Sequence, residues 1–106
     1  MHSYRQGDVM IVPAESIPAT ASPVARDAGR IVLAYGEVTG HAHAIASPDA
    51  ELLATATAEA ADRWLRVRST VTLAHEEHTA IVIPPGEYRV IRQREFDPQL
   101  ARQVAD

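Results

Sequence analysis

Cysteine is absent from the 106 residues, lysine is absent too, and the aromatic side chains amount to three tyrosines, one tryptophan and one phenylalanine. Without thiols there are no disulfides, no thiolate metal ligands and no cysteine nucleophile. Any metal site must be built from imidazole, carboxylate or water. Long apolar runs are missing as well, none reaching the length that crosses a bilayer or forms a signal peptide. The expectation is a soluble cytoplasmic protein with no membrane partner. A formal net charge of −4 disfavours nucleic acid as a partner, because nonspecific affinity for it comes mainly from neutralising phosphates.

With lysine missing, all positive charge rests on arginine, and six arginines fall in two short stretches: Arg63, Arg66 and Arg68, then Arg89, Arg92 and Arg94. A spacing of two along a strand puts Arg66 with Arg68 on one face, and Arg92 with Arg94 on another. A solvated sheet face paired with carboxylates is the plain reading. An anion-binding patch that includes Arg92 and Arg94 is the functional one.

A length of 106 residues suits one domain, taken here as 1–106, and 46% hydrophobic with 23% charged residues is globular composition. The pattern is mostly strand-like. "DVMIVP" (8–13), "RIVLAY" (30–35) and "HAHAIA" (41–46) are short apolar runs, the last two joined by "GEVTG", whose bracketing glycines suit a hairpin. "IPATASPVARDAG" (17–29) reads as a surface loop. Residues 51–67 read as strand, turn, strand, although their alanines favour helix. "STVTLAH" (69–75) alternates cleanly, "TAIVI" (79–83) follows, and "PPG" (84–86) carries the Pro-Gly signature of a type II turn before "EYRVIRQRE" (87–95). "DPQLARQVAD" predicts a short C-terminal helix, with Asp97 as N-cap, Pro98 at the first helical position and Leu100 paired with Val104. Seven to eight strands and one helix imply an all-β fold, a small antiparallel β-barrel or sandwich.

Four of the five histidines lie in two motifs, "GHAHAI" (40–45) and "HEEH" (75–78). His41 and His43 share one face of a strand, and Ile45 continues their row toward the core. If Glu76 and Glu77 formed a two-residue hairpin loop, His75 and His78 would be opposed cross-strand neighbours, although Glu-Glu fits a tight primed turn poorly. Read singly, each histidine is a hydrogen-bonded cap of a hairpin end. Read together, His41, His43, His75 and His78 form a candidate site for Zn²⁺, Ni²⁺ or Fe²⁺, with Glu37, Glu76 or Glu77 as further ligand or proton carrier. Glu76 and Glu77 are the candidate catalytic groups.

The order Gly36, Gly40, His41, His43 and later "IPPGEY" (83–88) resembles the cupins, whose first motif carries HxH on a strand and whose second carries a PxG turn. The resemblance implies metal ligation by His41 and His43 only. No glutamate follows within residues 44–48, and His75 and His78 precede Pro85 where cupins place a histidine after the turn. More of the chain is similar to uncharacterised small bacterial and phage-associated proteins sharing "RQGDV", "GEVTGHAH", "HEEH", "PPGEYRV" and "QREFDP", a resemblance that implies no reaction.

Three functions fit these residues. The first is a small β-barrel binding a divalent metal, either a metal-dependent hydrolase, in which a metal-bound water ionises near neutral pH, or a ligand-binding protein for an unspecified small molecule. The second is a metal-free phosphodiesterase or RNase, in which two histidines exchange protons and Arg92 stabilises phosphate. The third is a noncatalytic interaction module docking through residues 93–106, which leaves a homodimer open.

Overall fold

The computed structural model describes residues 2–36, 38, 40–55 and 62–92. The C-terminal helix expected over 97–106, Arg94 and Glu37 lie outside the described residues. Within them the protein is all-β: β1 (Tyr4–Gln6), β2 (Val9–Pro13), β3 (Ser22–Pro23), β4 (Ile31–Tyr35), β5 (Ala42–Ile45), β6 (Ala50–Thr55), β7 (Asp62–Val67), β8 (Val71–Leu73), β9 (Ile81–Ile83) and β10 (Gly86–Arg92). No described helix is long and apolar enough to cross a membrane.

Six strands form one antiparallel sheet in the order β1-β2-β10-β7-β6-β3. The remaining four form two hairpins, β4-β5 and β8-β9, which touch through an isolated bridge between Ala44 and Ala74. The hairpins supply Ile31, Leu33, Ile45, Val71, Leu73 and Ile83 to one core cluster, and the large sheet supplies Val9, Ile11, Leu52, Leu65, Val67 and Val90. Alternation explains this face: in β2, Val9 and Ile11 are two apart, and in β7 so are Leu65 and Val67. Burying side chains of this size contributes about 1.5 to 3 kcal/mol each, so the shared core is what holds the two layers together.

The opposite face of the large sheet carries two of the ten arginines, Arg66 and Arg89, each paired with carboxylates. Pairing places Arg66 beside Glu87 on β10 and Glu51 on β6. Its guanidinium reaches both carboxylates, at 2.7 Å to Glu51 and 3.2 Å to Glu87. In the neighbouring row Arg89 lies over the Trp64 ring and pairs with Asp62 at 3.0 Å. These are cross-strand partners on a solvated surface, each contributing a fraction of a kcal/mol.

Three expectations need correction. The described strands number ten where seven to eight were expected, because Tyr4–Gln6 and Ser22–Pro23 are too short to show a period of two, and the second lies inside the stretch read as a loop. Among the described residues no closed barrel forms: β1 and β3 are the two edges of an open sheet. Closure is a property of strand pairing across the whole sheet, and a two-residue edge strand containing Pro23 offers little to pair with. Finally, Gly86 is not the left-handed residue of a type II turn, which would have φ near +80°. It has φ +157° and opens β10, where the chain crosses from the β8-β9 hairpin to the large sheet.

Energetically the core outweighs the charged face. Leu65, fully buried, is expected to lose about 3 kcal/mol on Leu65→Ala, and Arg66→Ala to lose no more than about 1 kcal/mol, in urea denaturation; the reverse order would contradict this division.

Candidate metal centre

Three turns converge on the histidines. The β1-β2 connection is the two-residue turn Gly7-Asp8, since Gln6 pairs with Val9. Gly7 takes φ +59° there, as a glycine at the first central position of a primed turn does. The β4-β5 connection delivers His41 and His43, and the β8-β9 loop delivers His75 through His78. Opposite His43 the β4 strand is bulged: Val32 pairs with Ala44 and Ala34 with His43, leaving Leu33 unpaired. Such a bulge bends the strand and re-aims the side chains around it.

The "HEEH" segment is not a two-residue turn. Strand pairing ends at Leu73 and Ile81, so the loop is wider and His75 and His78 are not cross-strand partners. Paired glutamates lack the positive-φ tolerance that the tight turn needs. The rings still come together, with centroids 4.6 Å apart. The cause is local: Nδ1 of His75 accepts the backbone N–H groups of Glu77 at 3.0 Å and His78 at 3.3 Å, folding the loop over its own first residue.

His75 is the hub of the cluster. Its ring lies 4.4 Å from that of His43 and 5.6 Å from that of His41, and the His43 and His78 rings are 5.7 Å apart. Two triads offer ligand atoms within 4.8 Å of one another: His43, His75 and His78, and next to it His41, His75 and Glu76. Among the described residues no arrangement brings all four histidines within that limit. Bonds of about 2.0 to 2.1 Å around a tetrahedral ion imply ligand separations of about 3.4 Å, which fall inside that limit.

One member is fixed by the interior. His43 and Gln6 are both buried. The Gln6 Nε2 donates to the carbonyls of Leu73 and Thr79, each at 3.0 Å, so its Oε1 is the end that faces His43 Nδ1 at 2.8 Å. An amide oxygen only accepts, which places the His43 proton on Nδ1 and leaves Nε2 with a free lone pair. Asp8 Oδ1 lies 3.6 Å from that Nε2, and Asp8 Oδ2 is held by Arg92 at 3.1 Å. Burial, followed by the neighbouring His75, pushes the His43 pKa below the ordinary histidine value, while Asp8 pulls the other way. The ring is therefore neutral at neutral pH, with a free lone pair beside a carboxylate.

The acidic residues differ in placement. Glu76 accepts the Ala42 backbone N–H at 2.8 Å, and that bond holds its pKa below the usual carboxylate range. Glu77 lies 3.7 Å from His41 Nδ1. Arg92 also donates to the Tyr35 carbonyl, so its guanidinium is occupied by Asp8 and the backbone. Gln6, Gly7 and Asp8 escaped the reading of the sequence by residue chemistry. Their one signal was a Gly-Asp pair before the apolar run of β2, a hairpin turn pattern.

Fold and cluster together define a small two-layer β protein with a histidine-rich site at the meeting point of three turns. Residues 5–93 match DUF8820, a domain of unknown function, and the chain belongs to that family. The match takes in every site residue from Gln6 to His78. No curated protein and no solved structure matches the chain.

Gly7 and His43 generate separate tests. A Cβ at Gly7 would stand 2.8 Å from His78 Nε2 and 3.3 Å from His43 Cε1. Gly7→Ala is therefore expected to cost about 1 to 2 kcal/mol from the left-handed backbone alone and to displace the His78 ring, read as a lower Tm and shifted His78 ring resonances. For His43, the folded pKa lies below the unfolded one, so its stabilisation is complete above the unfolded value of about 6.5 and is lost as pH falls through the folded value. In metal-free protein, the stability difference between wild type and His43→Gln should shrink between about pH 7.5 and about pH 5.5; a difference that widened would contradict the neutral ring.

Proposed function

We propose that the protein is a divalent-metal-binding β domain, whose inner ligands are His43, His75 and His78, with Asp8 at the fourth side. The observation that carries this reading is the Gln6–His43 hydrogen bond. It sets the tautomer that a metal-ligating imidazole requires, with the far nitrogen donating to a fixed acceptor and the near one bare. Neutral imidazoles beside a carboxylate are a donor set suited to Zn²⁺, Ni²⁺ or Fe²⁺, and the absence of thiols favours no softer ion. His41 and Glu76 stand at the adjoining triad, within reach of His75. When bound, such an ion supplies Lewis acidity, which supports the hydrolytic variant of the reading. Glu77, exposed and beside His41, is the group placed to carry a proton.

The metal-free acid–base alternative finds less support, since the arginine it needs for phosphate is bonded to Asp8 and to the Tyr35 carbonyl.

His75 makes the reading sharper. Its Nδ1 accepts two backbone N–H groups, so ligation through Nδ1 displaces those donors, and ligation through Nε2 requires a proton on Nδ1 that does the same. Metal binding must therefore move the amides of Glu77 and His78. Calorimetric titration of chelator-treated, untagged protein is expected to give a Kd of about micromolar or tighter for at least one of the three ions, with His43→Gln or His75→Gln weakening it at least about 100-fold. The amide resonances of Glu77 and His78 should shift in step with saturation. No ion binding tighter than about micromolar, or binding that leaves those two amides unmoved, would overturn the reading.

A further inference from the structure

Strand β5 has two unlike faces. His43 and Ile45 point to the site and the core, whereas Ala42, Ala44 and Ala46 line a groove of about 380 Å³ on the other side. Arg30 lines the same groove, as do His75 and Glu76. Strand pairing puts the two groups at opposite ends. Ile31 pairs with Ile45, so Arg30 falls beside Ala46. The Ala44–Ala74 bridge puts Glu76 beside Ala42, and the Ala42 N–H bond to the Glu76 carboxylate agrees with that. Four residues of strand separate the two ends, roughly 14 Å at 3.4 Å per residue.

The groove is open because its floor is alanine: a larger side chain at any of the three positions would fill it. Its walls are largely apolar, formed by alanines with Thr72 among them, and its charges are one guanidinium and one carboxylate. Arg30 has no side-chain hydrogen bond or ion pair among the described residues, in contrast to Arg66, Arg89 and Arg92, which each hold a carboxylate. A bare guanidinium at the end of an apolar groove matches a carboxylate, whose two oxygens its planar fork binds side by side. A phosphate dianion fits less well, since only one cation faces it and Glu76 shares the cavity.

We infer that this groove binds a small organic acid, its carboxylate on Arg30, its short apolar chain along Ala46, Ala44 and Ala42, and its far end beside His75 and Glu76. The binding mode stands on the groove alone and needs no ion; only the statement that the far end lies beside His75 as a metal ligand rests on the metal-binding reading. The ligand class then follows from the two ends: an acid whose reactive or polar group lies about a short alkyl chain away from the carboxylate.

Hexanoate is the probe, with hexanol as its uncharged counterpart, read on the alanine methyl resonances of protein prepared both metal-free and with Zn²⁺. Hexanoate is expected to shift the methyls of Ala42, Ala44 and Ala46 saturably, and to bind at least about tenfold tighter than hexanol because of the charge-assisted pair with Arg30. Arg30→Gln should remove that preference, and Ala46→Leu should block the shifts by filling the groove. Equal binding of hexanoate and hexanol, or no saturable shift of these methyls at concentrations up to about 50 mM, corresponding to an affinity weaker than about −2 kcal/mol, overturns the inference. The two readings fail separately: hexanoate binding without Zn²⁺ binding keeps the groove and removes the ion, and Zn²⁺ binding with silent methyls does the opposite.

Discussion

A single buried amide ties the architecture to the site. Gln6 ends β1 at the edge of the large sheet, yet its side chain bonds the carbonyls of Leu73 and Thr79 in the β8-β9 hairpin and the ring of His43 in the β4-β5 hairpin. Three separately paired pieces of sheet meet at this one group. Because the environment excludes water, an unmatched partner here would cost about 1 to 3 kcal/mol, so the network is favourable only when complete. It is complete: among the described residues no buried side-chain nitrogen or oxygen lacks a partner. The same completeness dictates which way the amide points, and from that the state of the His43 ring follows.

Around this fixed group the other histidines are held more loosely. His43 is almost wholly buried, His75 is half-buried and His78 is exposed, so order falls off from the interior toward solvent. Such a gradient suits a site that must admit an ion: one ligand is pre-aligned, and the others close upon it. Gly7 makes the approach possible, because any Cβ there would occupy the space of the His78 ring. The alanine face of β5 has the complementary character. It lies behind the pre-aligned histidine, is nearly free of polar groups along its middle, and meets the cluster only at His75 and Glu76.

Much of this was legible in the residues themselves. Period-two patterns marked most of the strands, including the two strands read within 51–67, and the His-x-His spacing put His41 and His43 on one face without any knowledge of the fold. Proximity of the two motifs is not written in local pattern, since it depends on the Ala44–Ala74 bridge, a contact between alanines that carries no signature. The wide loop at 74–80 was obscured for a related reason: what shapes it is the His75 ring bonding two backbone N–H groups, and a side chain's choice of acceptor cannot be read from spacing. Gln6 was invisible because glutamine is usually exposed, and only its burial by two distant hairpins turns it into a determinant. Alternation alone does not distinguish a barrel from a sandwich or an open sheet, so closure was not legible in the residues.

The state of the His43 ring is the point on which the account turns, and nitrogen NMR reads it directly. In protein labelled with ¹⁵N at histidine and freed of metal, at neutral pH, His43 should show a protonated, pyrrole-type Nδ1 coupled to its neighbours and an unprotonated, pyridine-type Nε2. A proton found on Nε2 instead would mean that Gln6 does not orient the ring, and the case for a prepared metal ligand at the meeting of the three turns would be lost.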